Sequence, residues 1–167
     1  MGGPTPVPLN NGIAGTINGV AQSASHTCVI DSATNVQCWG ADNRGTLGRG
    51  TGMENFSDPA GATVKLRADT ATALANVDEI ASRGNTVYAR QGGSVFAWGN
   101  TCPNILGASD VTFCNNDAAS SVDNITNAKA LASGFSISCA LKEDGGISCW
   151  GQNNFGQIGD GTYNFTF

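Results

Sequence analysis

Apolar and polar residues alternate in short runs that stop at turn-forming residues. Thr27-Cys28-Val29-Ile30 leads into Asp31 to Asn35, and Val36-Gln37-Cys38-Trp39 leads out, which predicts a β-hairpin with one buried face. The same form returns at Cys139-Ala140-Leu141 and Cys149-Trp150 around the turn Glu143-Asp144-Gly145-Gly146, where glycine accepts the positive φ of a tight hairpin. Ala128 to Ser133 has the length of a helical turn, yet its place ahead of the second hairpin suits a strand better.

The hairpins belong to a unit present three times. Cys38-Trp39-Gly40 is followed by Leu47-Gly48, Ala97-Trp98-Gly99 by Leu106-Gly107, and Cys149-Trp150-Gly151 by Ile158-Gly159. Upstream, segments ending at Cys28, Val87 and Cys139 keep one distance to their tryptophan, which places Val87 and Ala97 in the cysteine positions of copy two. Trp-to-Trp spacings of 59 and 52 residues match β-propeller blades and exceed the common helical repeats. Trp39, Leu47, Trp98, Leu106, Trp150 and Ile158 are therefore expected to form the repeat core, each indole wedged between sheets.

Trp150 to Thr162, with Asn153, Gly156, Ile158, Gly159, Asp160 and Gly161, closely resembles the signature of the regulator of chromosome condensation family. Ala132-Ser133-Gly134 and Cys139-Ala140-Leu141 extend the likeness, and Pro4 to Leu9 resembles that family's connector between blades. Copy two departs from the pattern at Thr101-Cys102-Pro103, and copy one carries Arg49-Gly50-Thr51 where Asp-Gly-Thr is usual. The resemblance implies an all-β, propeller-type fold of three antiparallel four-stranded blades. These would span about 10–60, 61–115 and 116–167, the last completed by 4–9, within one domain. In style the chain is similar to secreted bacterial members, which include β-lactamase-inhibiting propellers.

Six cysteines fall into three local pairs, Cys28 with Cys38, Cys139 with Cys149, and Cys102 with Cys114. The first two straddle hairpin turns symmetrically, so each pair can face across an antiparallel ladder within disulfide reach. A zinc site is the competing reading, but the ten-residue gaps lack its close Cys-x-x-Cys spacing. Disulfides point to an oxidising compartment, hence to an extracellular or cell-surface location. Asn55, Asn124 and Asn164 each open an N-glycosylation acceptor triplet.

Charge and chemistry narrow the function. Eight basic residues against 13 acidic ones give a net charge of −5, with the bases scattered, which disfavours nucleic acid. No run approaches the length of a membrane span. His26, the single histidine, shares a repeat position with Asn85 and Ile137, which favours a structural role over catalysis. Asp42, Asp160 and the group Asp110, Asp117 and Asp123 offer oxygens for calcium, but turn chemistry explains them as well. The expectation is a non-enzymatic binding module with no cofactor and no metal.

Three blades leave two sheet faces open. Pro6, Val7 and Leu9 at one end and Tyr163, Phe165 and Phe167 at the other read as complementary assembly termini, so other copies of the chain are the expected protein partner, in a ring or a filament. The alternatives are a fragment of a full seven-bladed propeller that binds or inhibits another protein, and a guanine-nucleotide exchange factor, which the family resemblance implies.

Overall fold

The computed structural model of the protein describes residues 8, 12–13, 15–51, 57–66, 68–101, 115–135 and 137–164. These residues form strands and turns, with no helix. The first sheet joins β1 (Gly19–Gln22), β2 (His26–Ile30), β3 (Val36–Ala41) and β4 (Ser57–Thr63) in chain order. A hairpin of β5 (Lys65–Leu66) and β6 (Asp69–Ala73) precedes the second sheet, whose strands are β7 (Glu79–Arg83), β8 (Thr86–Gln91), β9 (Ser94–Asn100) and β10 (Asn115–Ser121). The third sheet shows β11 (Ala128–Ser133), β12 (Ile137–Lys142) and β13 (Ile147–Gly151).

Three consecutive antiparallel meanders are the propeller-type all-β architecture expected. The outer strands extend past the anticipated blade limits: β4 runs to Thr63 and β10 to Ser121. Each is built from the segment after the Trp-Gly turn, so a blade closes only when that segment returns to its sheet. The fourth strand expected from residues 4–9 lies outside the described residues, apart from the exposed Pro8. The β5–β6 hairpin was not anticipated. It joins β10 through one parallel pairing, Leu66 with Ala119, and widens the second sheet to six strands.

One register expectation is corrected. In copy two it is Tyr88, not Val87, that faces Ala97 as Cys28 faces Cys38 and Cys139 faces Cys149. The cause is the turn. Gly92 and Gly93, with φ of 53° and 89°, close a two-residue loop between Gln91 and Ser94, whereas the corresponding hairpins β2–β3 and β12–β13 carry longer turns. Both inner residues of such a loop need positive φ, which glycine supplies. Facing residues in copy two are therefore one position closer in sequence, and counting back from Trp98 at a fixed distance lands on the wrong face.

The fourth strands share an irregularity. Gly40 and Cys38 face Asp58 and Ala62, while Gly99 and Ala97 face Asn116 and Ser120. In both sheets two extra residues therefore bulge from the outer strand. In the second sheet the bulge reaches the first, where the Asp117 carbonyl accepts a hydrogen bond from the Gly50 amide at 2.6 Å.

The turn after each tryptophan is a repeated device. In copy one the buried Asp42 accepts a hydrogen bond from the Leu47 amide through Oδ1 at 3.0 Å. In copy three Asn153 Oδ1 accepts from the Ile158 amide at the same distance. The second half of each side chain is met differently. Asp42 pairs with the guanidinium of Arg49 at 2.8 Å, which also reaches Asp58 at 3.1 Å; Asn153 donates to Asp160 at 3.3 Å and to the Thr162 carbonyl at 3.0 Å. The arginine that breaks the motif of copy one thus compensates a carboxylate where copy three has a neutral amide. Asp42→Ala removes the acceptor and strands a buried amide, and is expected to cost about 3 kcal/mol of unfolding free energy. Asp42→Asn keeps the Leu47 bond as Asn153 does in copy three and should cost roughly 1 kcal/mol; urea titration of both variants checks the order.

Candidate functional site

The sheets are held together by tryptophan. Alternation along each strand sends one side chain toward the preceding sheet and the next toward the following one. In the second sheet Val87, Ala89 and Trp98 join Cys28, Cys38, Leu47 and Val64 of the first in one buried cluster. Tyr88, Val95 and Ala97, on the opposite face, pack with Ala140 and Trp150 of the third sheet.

Trp98 is fully buried, and its indole N–H donates to the Thr46 carbonyl at 3.0 Å. Its ring lies so close to Gly48 that a Cβ there would stand 3.0 Å from Cδ1. Trp150 meets Tyr88 edge to face with ring centroids 5.6 Å apart, and donates to the Tyr88 hydroxyl at 3.3 Å. Burying an aromatic side chain of this size removes roughly 150–250 Å² from water, worth about 4–6 kcal/mol by area before ordering costs.

The two ends of the stack carry the unfilled halves of this arrangement. Trp39, expected in the core, is only half-buried, because it points away from the second sheet with no preceding sheet among the described residues. At the other end Ile158 is half-buried where Leu47 is fully enclosed. Gly159 and Gly161 occupy the positions of Gly48 and Gly50, yet a Cβ at either would meet nothing within 4 Å. In the same segment Phe155 is 90% and Tyr163 74% exposed.

Two of the expected cysteine pairs are disulfides: Cys28–Cys38 and Cys139–Cys149, each with Cα atoms 4.1 Å apart. The first lies wholly buried between sheets; the second, on the open face of the third sheet, is only half-covered. Cys102, Cys114, Leu106, Pro6, Val7, Leu9, Phe165, Phe167 and Asn55 lie outside the described residues. Asn124 and Asn164 are exposed.

His26 links two sheets. Its Nδ1 is 3.0 Å from Ser23 Oγ, and its Nε2 is 3.2 Å from Ser82 Oγ on β7. Burial lowers its pKa to about 4 against a weaker opposing pull from Asp42. Of the proposed calcium ligands, Asp42 is committed to Leu47 and Arg49, Asp160 caps the Thr162 amide at 2.9 Å, and Asp110 lies outside the described residues. Among the described residues no group of three His, Cys, Asp or Glu side chains gathers at metal-binding distance. A shallow cavity of about 330 Å³ between the β5–β6 hairpin and β9–β10 is lined by Leu66, Ala68, Phe96, Ala119, Ser120 and Ser121.

Sequence reasoning missed the polar contacts across the second joint. Glu79 Oε2 accepts from the Leu131 amide at 3.0 Å and from Arg90 at 3.3 Å, and Arg83 Nε donates to the Phe135 carbonyl at 3.4 Å. Nothing in the repeat marks these residues, since each occurs in one copy only.

Comparison with known proteins agrees with this geometry. Residues 128–157 match the model of the Regulator of chromosome condensation (RCC1) repeat. The chain is 31% identical over 135 residues to the human X-linked retinitis pigmentosa GTPase regulator, covering 80% of this chain and 12% of that protein. In fold it is similar to human WBSCR16, with a TM-score of 0.69 at 19% identity over 83% of this chain and 34% of the other. It is similar also to Prp20p of Saccharomyces cerevisiae, with a TM-score of 0.68 at 15% identity over 90% of this chain and 36% of the other. The chain thus spans about a third of those structures and a smaller part of the curated relative.

Two outcomes are expected. Because the folded state holds His26 neutral while the unfolded state protonates near pH 6.5, its contribution is complete above that pH and declines as the pH falls toward 4. The loss should be roughly 2 kcal/mol between pH 7 and 4.5, read as the difference in pH-dependent urea stability between wild type and His26→Gln. Under graded reduction with alkylation and peptide mapping, Cys139 and Cys149 should be labelled before Cys28 and Cys38, because thiol exchange requires access to sulfur.

Proposed function

The chain belongs to the RCC1-like repeat family, and we propose that it works as a non-enzymatic, extracellular protein-binding module whose open flanks are completed by other copies of itself, in a ring or a filament. The observation that carries the reading is the pairing of a half-buried tryptophan, Trp39, at one end of the stack with open space over Gly159 and Gly161 at the other. Surfaces of that kind in water favour association, and heterologous contacts between unlike faces build rings or fibres.

Protein binding accords with the relatives: the crystal structure of Prp20p was described together with that protein's binding to Gsp1p and histones. The disulfides support an oxidising compartment. The net charge of −5 with dispersed bases supports a protein partner over nucleic acid. A second reading is favoured by the share of the relatives' length that the chain covers. On it the three sheets are a segment of a larger, seven-bladed propeller, and further blades of the same polypeptide fill both flanks.

Sedimentation velocity over a micromolar concentration series separates the two. Self-completion predicts a weight-average mass that rises with concentration. A monomer at every concentration overturns it and leaves the segment reading. A nucleotide-release assay with a small GTPase addresses exchange activity, for which no acceleration is expected.

A further inference from the structure

We propose that the cavity under the β5–β6 hairpin is a binding site for a small neutral aromatic group carrying one N–H or O–H donor, such as an indole or a phenol. The cavity lies within the joint between the first and second sheets, so the inference is independent of self-completion and of what adjoins either end of the stack.

Its basis is a position that changes character in one copy. Gln37, Phe96 and Ser148 each stand two residues before their tryptophan, at one place in the ladder and on one face of their sheet. Two of the three are polar. Phe96 instead packs against the cluster that holds Trp98, and is only half-buried. The β5–β6 hairpin accompanies this aromatic substitution; residues 122–127, which join the second sheet to the third, contain no such element. Leu66 pairs with Ala119 of β10 and also faces Asp69, so the hairpin touches β10 through one pairing and turns back at once. It therefore stands over Phe96 without filling the space beneath, and a cavity of about 330 Å³ remains between Leu66, Ala68, Phe96, Ala119, Ser120 and Ser121.

The walls select the ligand. None of those six side chains is charged, so an ion entering would lose hydration with nothing to replace it. Ala119 is buried and forms the floor, whereas Ala68 and Ser121 are exposed and mark the mouth. The half-buried ring of Phe96 offers a surface for an offset or edge-to-face contact with a second ring. Ser121 supplies the polar element: among the described residues its hydroxyl has no hydrogen-bond partner, which leaves it able to accept from a donor on the ligand. Size sets the rest. An apolar cavity of roughly 150 Å³ admits benzene, and the larger volume here suits two fused rings or one substituted ring.

Saturation-transfer NMR of the whole chain with indole should show saturable binding with a dissociation constant of about 0.1–1 mM, the range open to so small a ligand. The charged indoleacetate ion should bind at least about tenfold more weakly. Ala68→Leu fills the mouth from an exposed position and should weaken indole by about tenfold or more. Ser121→Ala removes the acceptor and should weaken it roughly threefold to tenfold. Circular dichroism verifies that both variants keep the native fold. The blocked peptide acetyl-Gly-Trp-Gly-amide separates two sources of the ring: binding as tight as indole's assigns the site to a side chain of a protein segment, and failure where indole binds assigns it to a free small molecule. No saturable binding of indole up to about 5 mM, binding unchanged in both variants, or equal binding of the charged analogue overturns the site.

Discussion

An indole laid across the neighbouring sheet is the contact on which the stack depends. Each sheet carries apolar residues, and laying the sheets face to face removes that surface from water. Trp98 and Trp150 provide that cover while keeping their N–H groups hydrogen-bonded in the interior, which removes the main penalty of burying so large a side chain. The rest of the motif serves the same contact. Asp42 folds the turn that presents the Thr46 carbonyl and the bare Gly48 to Trp98, a Cβ at Gly48 would stand against that indole, and Asn153 folds the equivalent turn of copy three.

Much of this was legible in the sequence, because the repeating features are local. The hairpins follow from alternation bounded by turn residues, the tryptophan frame from its recurrence, and two disulfides from cysteines placed evenly about a turn. The register of copy two was not legible by spacing, since a gapless count back from Trp98 ignores the shorter Gly92-Gly93 loop and substitutes Val87 for Tyr88. A reading that weighted the glycine pair as a two-residue turn would have found it. The β5–β6 hairpin, the His26–Ser82 link and the Glu79–Leu131 bond escape for another reason: they join residues distant in sequence and occur in single copies, so neither periodicity nor repetition signals them.

The three copies show that geometry is retained where chemistry is exchanged. The pair facing the next sheet is a disulfide in copies one and three, and a tyrosine opposite an alanine in copy two. In copies one and two these pairs share a buried cluster with the next indole, Trp98 or Trp150, and Tyr88 adds an acceptor for it. The anchor of the turn is a carboxylate with an arginine in one copy and an amide with a carboxylate in another. A substitution at one of these places is therefore understandable only with its partner, as Arg49 is with Asp42.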